Sequence, residues 1–464
     1  MRAQHLALGI GLSASLVAQE SEWQQWSPAN RPSARERAAM AFDAQRGTVL
    51  MVGGITSSGS LVGETWEWDG ETWTQLQVPS GSNPPNHYGA AIAEYPTRNS
   101  IVLFIGRGIA GSLRSRTHAW DGQGWALQAP SSAPSPRWMA RMAHDPVSDR
   151  VILFGGLGST SSPNPTFGDT WAWDGTDWTQ LTPISSPPAR FAHSMCLDPT
   201  TGQILLFGGQ SSTGFFNDTW TWTGSTWQQL SPLSTSPSIR DGASMVADTT
   251  QNRVLLFGGG MGSLQYDDTW AWDGQDWTLL TPSAKPPERV SAMMSWDALR
   301  REAVLFGGYI GLGAVKSYLG DTWSLLRKPA AASSSLGAGC PGSVTGVPQL
   351  LTRGRPALGQ SFAIDLAGAP PAALAALLIS TTPANLDLAT FGAPGCVAYA
   401  NPHVTIPVLA DFNGAWAWPG SGFPIPNLRQ FVGGMFWSQF LVADLQANPL
   451  GIITTAGGRA DIGY

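Results

Sequence analysis

The sequence predicts an all-β protein: one small antiparallel sheet used six times, followed by a second and unrelated β module. Three observations predict it. The pair Gly53-Gly54 recurs as Gly155-Gly156, Gly208-Gly209, Gly258-Gly259 and Gly307-Gly308, with Ile105-Gly106 in the remaining slot. The period is about 50 residues, too long for most helical repeats and suited to a four-stranded unit. A second pattern, Asp-Thr-Trp-x-Trp-Asp-Gly-x-x-Trp, stands at Asp169 to Trp178 and again at Asp268 to Trp277. Third, the 464 residues hold 22 Trp, 54 Gly and 35 Pro but only 12% charged residues, where a globular domain averages about 25%. Tryptophans spread along the chain point to one Trp-bearing unit repeated.

The elements follow in order. Residues 1–19 read as an export leader: Arg2 and His5 open it, and the apolar run Leu6 to Val17 is too short to span a bilayer. Each unit then has four strands, a to d. Strand a is rich in small residues, as at Arg240 to Ala247. A polar turn follows, opened by Asp43, Asp145, Asp198, Asp248 or Asp297, with Tyr95 in the second unit. Strand b is apolar and ends in Gly-Gly. A variable loop leads to strand c, and an Asp-Gly hairpin leads to strand d, because the tight turn needs a positive φ that glycine supplies. The sixth unit stops at Asp321-Thr322-Trp323 and lacks its own d strand, whereas Glu22-Trp23-Gln24-Gln25-Trp26 precedes the first unit unclaimed. Joining the two removes an open sheet edge. Residues 20–328 are therefore expected to form a six-bladed β-propeller closed by an N-terminal strand.

Past Lys328 the pattern ends. Residues 329–335 read as a small-residue linker and residues 336–464 as a small antiparallel β-sandwich. Cys340 and Cys396 lie in Gly/Pro-rich turns and are expected to form a disulfide. Cys196, inside an apolar strand, reads as a buried free thiol.

The Gly-Gly strand ends and Trp-Asp-Gly-x-x-Trp hairpins resemble the kelch repeat, in the form seen in bacterial secreted proteins and in central domains of the galactose-oxidase type. The resemblance covers about Glu22 to Leu326 and implies the propeller fold; it says little about activity. The C-terminal runs Gly-Ala-Gly-Cys-Pro-Gly and Phe-Gly-Ala-Pro-Gly-Cys resemble a module of secreted proteins from planctomycete-type bacteria.

Within the repeats, the residue eight before the turn position is Arg35, His87, Arg137, Arg190, Arg240 or Arg289. The residue opening strand c is Glu64, Arg116, Asp169, Asp218, Asp268 or Asp321. The second unit alone lacks both the arginine and the acid, so the two are expected to be partners within a blade. Recurrent tryptophans such as Trp171 and Trp178 are expected to pack between blades. The b–c and d–a loops share one face, and the b–c loops carry Phe167, Phe215, Phe216, Tyr266, Tyr309 and Tyr318 among glycine and serine. With the arginine set, His87 and His193, they make the candidate ligand face, suited to a glycan or an extracellular or envelope protein; each aromatic reads equally as a staple holding its loop.

A net charge of −6 without a basic cluster gives no footprint for nucleic acid. No run after the leader is long enough to span a membrane. No P-loop, nucleophile elbow, zinc spacing or paired-carboxylate motif is present, and no cofactor or metal is expected. The leading reading is an exported, non-catalytic recognition protein. The alternatives are a carbohydrate-active enzyme, a mutarotase or an oxidase, using polar groups at the channel mouth (Arg37, His87, Arg141, His193, Asp241), and a structural envelope component.

Overall fold

The structure is a computed structural model. It describes residues 21–327 apart from residues 80, 159–164 and 234, and beyond them residues 332–336, 347–354, 361–367, 369, 373–380, 383–388, 397–400, 404–410, 415–416, 423–424, 435–443, 452–455 and 457–461. The leader and both Cys340 and Cys396 lie outside the described residues. The chain divides into two compact units, one of them Ser21–Arg327.

That unit is all-β and built of six four-stranded antiparallel sheets. The fourth is typical: Ser194–Asp198, Gln203–Ser211, Gly214–Trp222 and Trp227–Leu230 in sequential order. In the last sheet Met293–Asp297, Glu302–Phe306 and Thr322–Arg327 are completed by Ser21–Trp26. That N-terminal strand pairs antiparallel with Thr322–Arg327 from Ser21 opposite Arg327 to Trp26 opposite Thr322.

Local chemistry explains the sheets. Asp69, Asp121, Asp174 and Asp273 accept backbone N–H groups two and three residues ahead, at 2.8–2.9 Å. The glycine after each aspartate has φ between 92° and 100°, the left-handed region that glycine enters freely. Strand b is the sheet centre: Val151, Ile152, Leu153 and Phe154 are all buried, as are Val254 to Phe257. Its glycines allow one sheet to meet the next. A Cβ on Gly155 or Gly307 would sit 2.5 Å from the carbonyl of Arg190 or Arg35, each in the following unit.

Tryptophan joins neighbouring sheets. The indole Nε1 of Trp125 donates to Thr65, Trp178 to Thr117, Trp227 to Thr170 and Trp277 to Thr219, at 2.8–3.1 Å. Each bond runs from a d strand to the c strand of the preceding unit. Trp73 donates to Thr322 and Trp23 to Thr269, both at 2.9 Å. Trp23 of the N-terminal strand thus occupies the d-strand position of the sixth unit. These rings are the apolar mass between sheets, as expected from their repeat positions.

Strand a starts later than its sequence suggests: Ser244–Asp248 rather than from Arg240, and likewise in the other units. The cause is the residue two beyond the arginine position. Arg37, Gly89, Met139, Ala192, Gly242 and Ser291 all have φ between 52° and 64°, which interrupts the extended chain. Four of the six are not glycine, and a left-handed conformation costs them roughly 1–2 kcal/mol each. The return is a ring of backbone bonds. Arg37 N–H donates to Ser291, Ser291 to Gly242, Gly242 to Ala192, Ala192 to Met139, Met139 to Gly89 and Gly89 to Arg37, at 2.8–3.2 Å. The six bonds return to their starting residue.

The second unit is also all-β. Its larger sheet contains Leu374–Ser380, Val404–Leu409 and Met435–Ala443, and Gln349–Gly354 pairs with Ser361–Ala367 in another. Ile364 and Leu366 of the second sheet share a core with Leu377, Phe440 and Val442 of the first. Ala332–Leu336 is a strand paired with Gly457–Asp461. Most of the stretch read as a linker is therefore sheet, because its serines and alanines suit a strand as well as a spacer.

Candidate functional site

The candidate face is set by the short segment before strand a and by the b–c loop beside it. The arginines come first. Arg190 is completely buried. Its Nε donates to Pro188 O at 3.0 Å and its Nη1 to Gly208 O at 2.9 Å. Nη1 and Nη2 also fork onto the Asp218 carboxylate at 2.6 and 2.8 Å. Arg137 with Asp169, Arg240 with Asp268 and Arg289 with Asp321 repeat the arrangement, and Arg35 meets Glu64. The aspartate also accepts the Nε1–H of Trp171, Trp220, Trp270 or Trp323 at 2.7 Å. Burial pushes Asp169 and Asp321 upward, but the paired arginine and indole hold both below the usual carboxylate range. Desolvation lowers Arg35.

Aromatic rings complete these clusters. Phe167 lies over the Arg137 guanidinium and Phe216 over Arg190, both at 4.0 Å, and Tyr266 lies over Arg240 at 4.1 Å. Each is two residues before its aspartate. Arg35, Arg137, Arg190, Arg240 and Arg289 thus have their donors and, in three units, their ring faces occupied, with 0–1% exposure. They hold the four-stranded unit together and offer no surface to a ligand. Phe167, Phe216 and Tyr266 are staples. Phe215 is half-buried on a strand paired across from Gln210.

The second unit differs as its sequence says. His87 replaces the arginine and copies one of its bonds, Nδ1 to Pro85 O at 2.8 Å. Burial pushes it down to about 4, so the ring is neutral at pH 7. His193 is fully buried against Phe154, ring centroids 5.6 Å apart, and burial holds it well below the ordinary histidine value. Neither reaches solvent at the mouth. Cys196 is a free thiol pushed upward by burial.

The side chains that ring the mouth lie one residue after the arginine position: Glu36, Tyr88, Trp138, Phe191, Asp241 and Val290. Each pairs with the residue just past the Gly-Gly position of its unit: Ile55, Arg107, Leu157, Gln210, Gly260 and Tyr309. These two positions differ from unit to unit, while the arginine repeats in five units and the left-handed backbone that follows repeats in all six. One half is apolar. Tyr88 and Trp138 pack edge to face at 5.4 Å, with Phe191, Leu61 and Leu113 around them. Arg107 lies over Trp138 at 5.2 Å and Tyr88 at 5.9 Å.

The other half is charged. Glu36 is buried and pairs with Lys316 and, at 3.5 Å, with Arg37. Lys316 Nζ stands 3.9 Å from the Tyr309 ring and 4.7 Å from Tyr318. Arg37 reaches over Trp138 at 5.5 Å and links the halves. Burial raises Asp241 to about 6, with Arg37 opposing. Arg37 and Lys316 keep 23% and 22% of their side chains exposed. Around them, on the b–c loops, Ile109, Leu264, Leu312 and Val315 are 41–78% exposed.

Sequence reading placed Tyr309, Tyr318, Arg37 and Asp241 on this face, and they come together there. It missed Trp138, Tyr88, Glu36, Arg107 and Lys316. A signal was available: the residue next to each repeated arginine is different in all six units.

Comparison with known proteins agrees with the fold. Residues 145–328 match the family model described as KLHDC2/KLHL20/DRC7 Kelch-repeats domain. A stretch of 189 residues is 28% identical to Adagio protein 3 of Arabidopsis thaliana, covering 36% of this chain and 29% of that plant protein. With the repeated four-stranded sheets, these matches support a kelch-repeat protein.

Proposed function

We propose that this chain is an exported, non-catalytic recognition protein whose first unit is a closed six-bladed kelch propeller. It binds a partner through the mouth formed by the b–c and d–a loops. The observation that carries this reading is the two-sided mouth: Tyr88, Trp138 and Phe191 on one side, Arg37, Asp241 and Lys316 on the other. Mixed apolar and charged groups at variable positions on a repeated frame suit a protein segment, the kind of ligand kelch repeats generally take. The exposed apolar loop tips widen that surface beyond a monosaccharide's reach; a glycan ligand is the second form of the same reading. Export rests on the leader pattern of residues 1–19, and the C-terminal module, similar to those of planctomycete-type secreted proteins, would serve attachment.

A peptide and glycan array probed with the full chain tests this. Arg37→Ala with Val315→Ser should weaken binding roughly tenfold or more while the far-ultraviolet spectrum and melting temperature stay near wild type. Equal array profiles for wild type and variant would remove the mouth as the recognition surface. Turnover of free hexoses by the wild type would favour an enzyme instead.

A further inference from the structure

A cavity of about 130 Å³ lies along the axis, among the six innermost strands. Five of its lining residues are methionines at one repeat position, Met40, Met142, Met195, Met245 and Met294, with Ile92 as the sixth. Among these thioethers stands one charge that the repeat does not call for. Arg141 occupies a position filled elsewhere by Ala39, Ala91, Ser194, Ser244 and Met293. Its recorded hydrogen bond goes to the carbonyl of its own neighbour, Ala140, at 3.2 Å. Among the described residues no carboxylate lies within ion-pair distance of it, and none lines the cavity.

The surroundings do not neutralise it. Arg37 also lines the cavity and adds a second positive charge. The hydroxyls of Ser194 and Ser244 donate to Ala243 O and Ala292 O and carry no charge to balance the guanidinium. The backbone carbonyls of the ring each accept an N–H of the ring. Arg141 is half-buried; a guanidinium partly withdrawn from bulk water without a counter-charge is disfavoured, and a bound anion offsets this.

We propose that the axial cavity binds a small monovalent anion, with Arg141 as its anchor. The shared chemistry is one negative charge on a weakly hydrated body: a halide, or a short carboxylate whose apolar tail lies among the methionines. Guanidinium matches either, and flexible thioethers fill the remaining space around a ligand of variable shape. A cavity of this size is close to one that accepts a benzene-sized molecule.

The test uses the full chain and the chloride NMR line width. Wild type should broaden the chloride line. Arg141→Ser, which copies the fourth and fifth units, should reduce the excess broadening roughly tenfold, and Arg141→Ala, which copies the first and second, should do the same. Bromide and butyrate are then titrated in. Displacement at lower butyrate than bromide identifies a carboxylate site, and the reverse order a halide site; either supports the proposal. Crystals soaked in bromide should show anomalous density beside the Arg141 guanidinium. Equal chloride broadening by wild type and both variants, or crystals with water alone beside Arg141, would overturn it.

Discussion

The second four-stranded unit and the other five solve one packing problem in two ways. In the five, a buried arginine ties the segment before strand a to the Gly-Gly carbonyl and to the acid that opens strand c. In the second, His87 keeps only the bond to the preceding carbonyl, at Pro85, and Arg116 holds the sequence position where an acid stands elsewhere. His118 lies nearby and burial, with repulsion from His87 and Arg116, pushes it down to about 4. The backbone nevertheless follows the same path: Gly89 takes the left-handed position and joins the ring of six bonds. The ion pair is therefore not what shapes the mouth. It fixes a geometry that the six backbone bonds already set, and the second unit reaches that geometry with neutral imidazole.

The comparison can be broken most directly by removing an arginine. Arg190→Ala leaves Gly208 O and the Asp218 carboxylate without their partner and should cost about 4 kcal/mol. His87→Ala loses one neutral bond and some packing and should cost about 1 kcal/mol. Urea denaturation of the two variants measures the gap; equal losses would mean that the forks add nothing over the histidine.

Acid provides the next contrast. His87 has a folded value of about 4 against an ordinary 6.5, so the unfolded chain binds the extra proton first. Its stabilising contribution is complete above pH 6.5 and declines as pH falls to about 4, by roughly 3 kcal/mol. Glu94 runs the other way. Burial raises it to about 7, so the folded state binds its proton more tightly and gains stability as pH falls from 7 to 4.5. The histidine's share is read as the difference between wild type and His87→Asn across this range: both lose stability through His118 and His193, and wild type loses roughly 3 kcal/mol more. Parallel pH profiles would show that His87 is not the acid-sensitive group.

The smallest effect sharpens the comparison by rebuilding the missing pair. His87→Arg alone adds a buried cation without the acid that its counterparts in the other units have, and should destabilise. Adding Arg116→Asp should recover that loss, with a favourable coupling of about 1–2 kcal/mol in a double-mutant cycle. Zero coupling would show that the second unit's backbone cannot seat the fork.

Much of the frame was legible because it repeats. Arg137 and Asp169 could be paired without coordinates, since the only unit lacking one also lacks the other. The N-terminal strand could be assigned because Trp23 copies Trp227. The start of strand a was not legible: the positive φ of Met139, Ala192 and Ser291 is imposed by the ring, and nothing in those side chains favours it. Trp138 was passed over because an aromatic beside a conspicuous arginine looks like one more packing residue, and its role depends on Arg37 and Arg107 arriving from two other units.

The amino-acid order alone determined the repeating unit, its hairpins and its internal partners, because these depend on spacing within about fifty residues and on the needs of Asp-Gly turns and Trp packing. Only the tertiary structure decided which side chains converge on the axis: the mouth around Trp138 and Lys316, and the cavity around Arg141. Residues there come from several units, and each meets its neighbours only after backbone N–H groups have bonded in a ring that no single repeat can form.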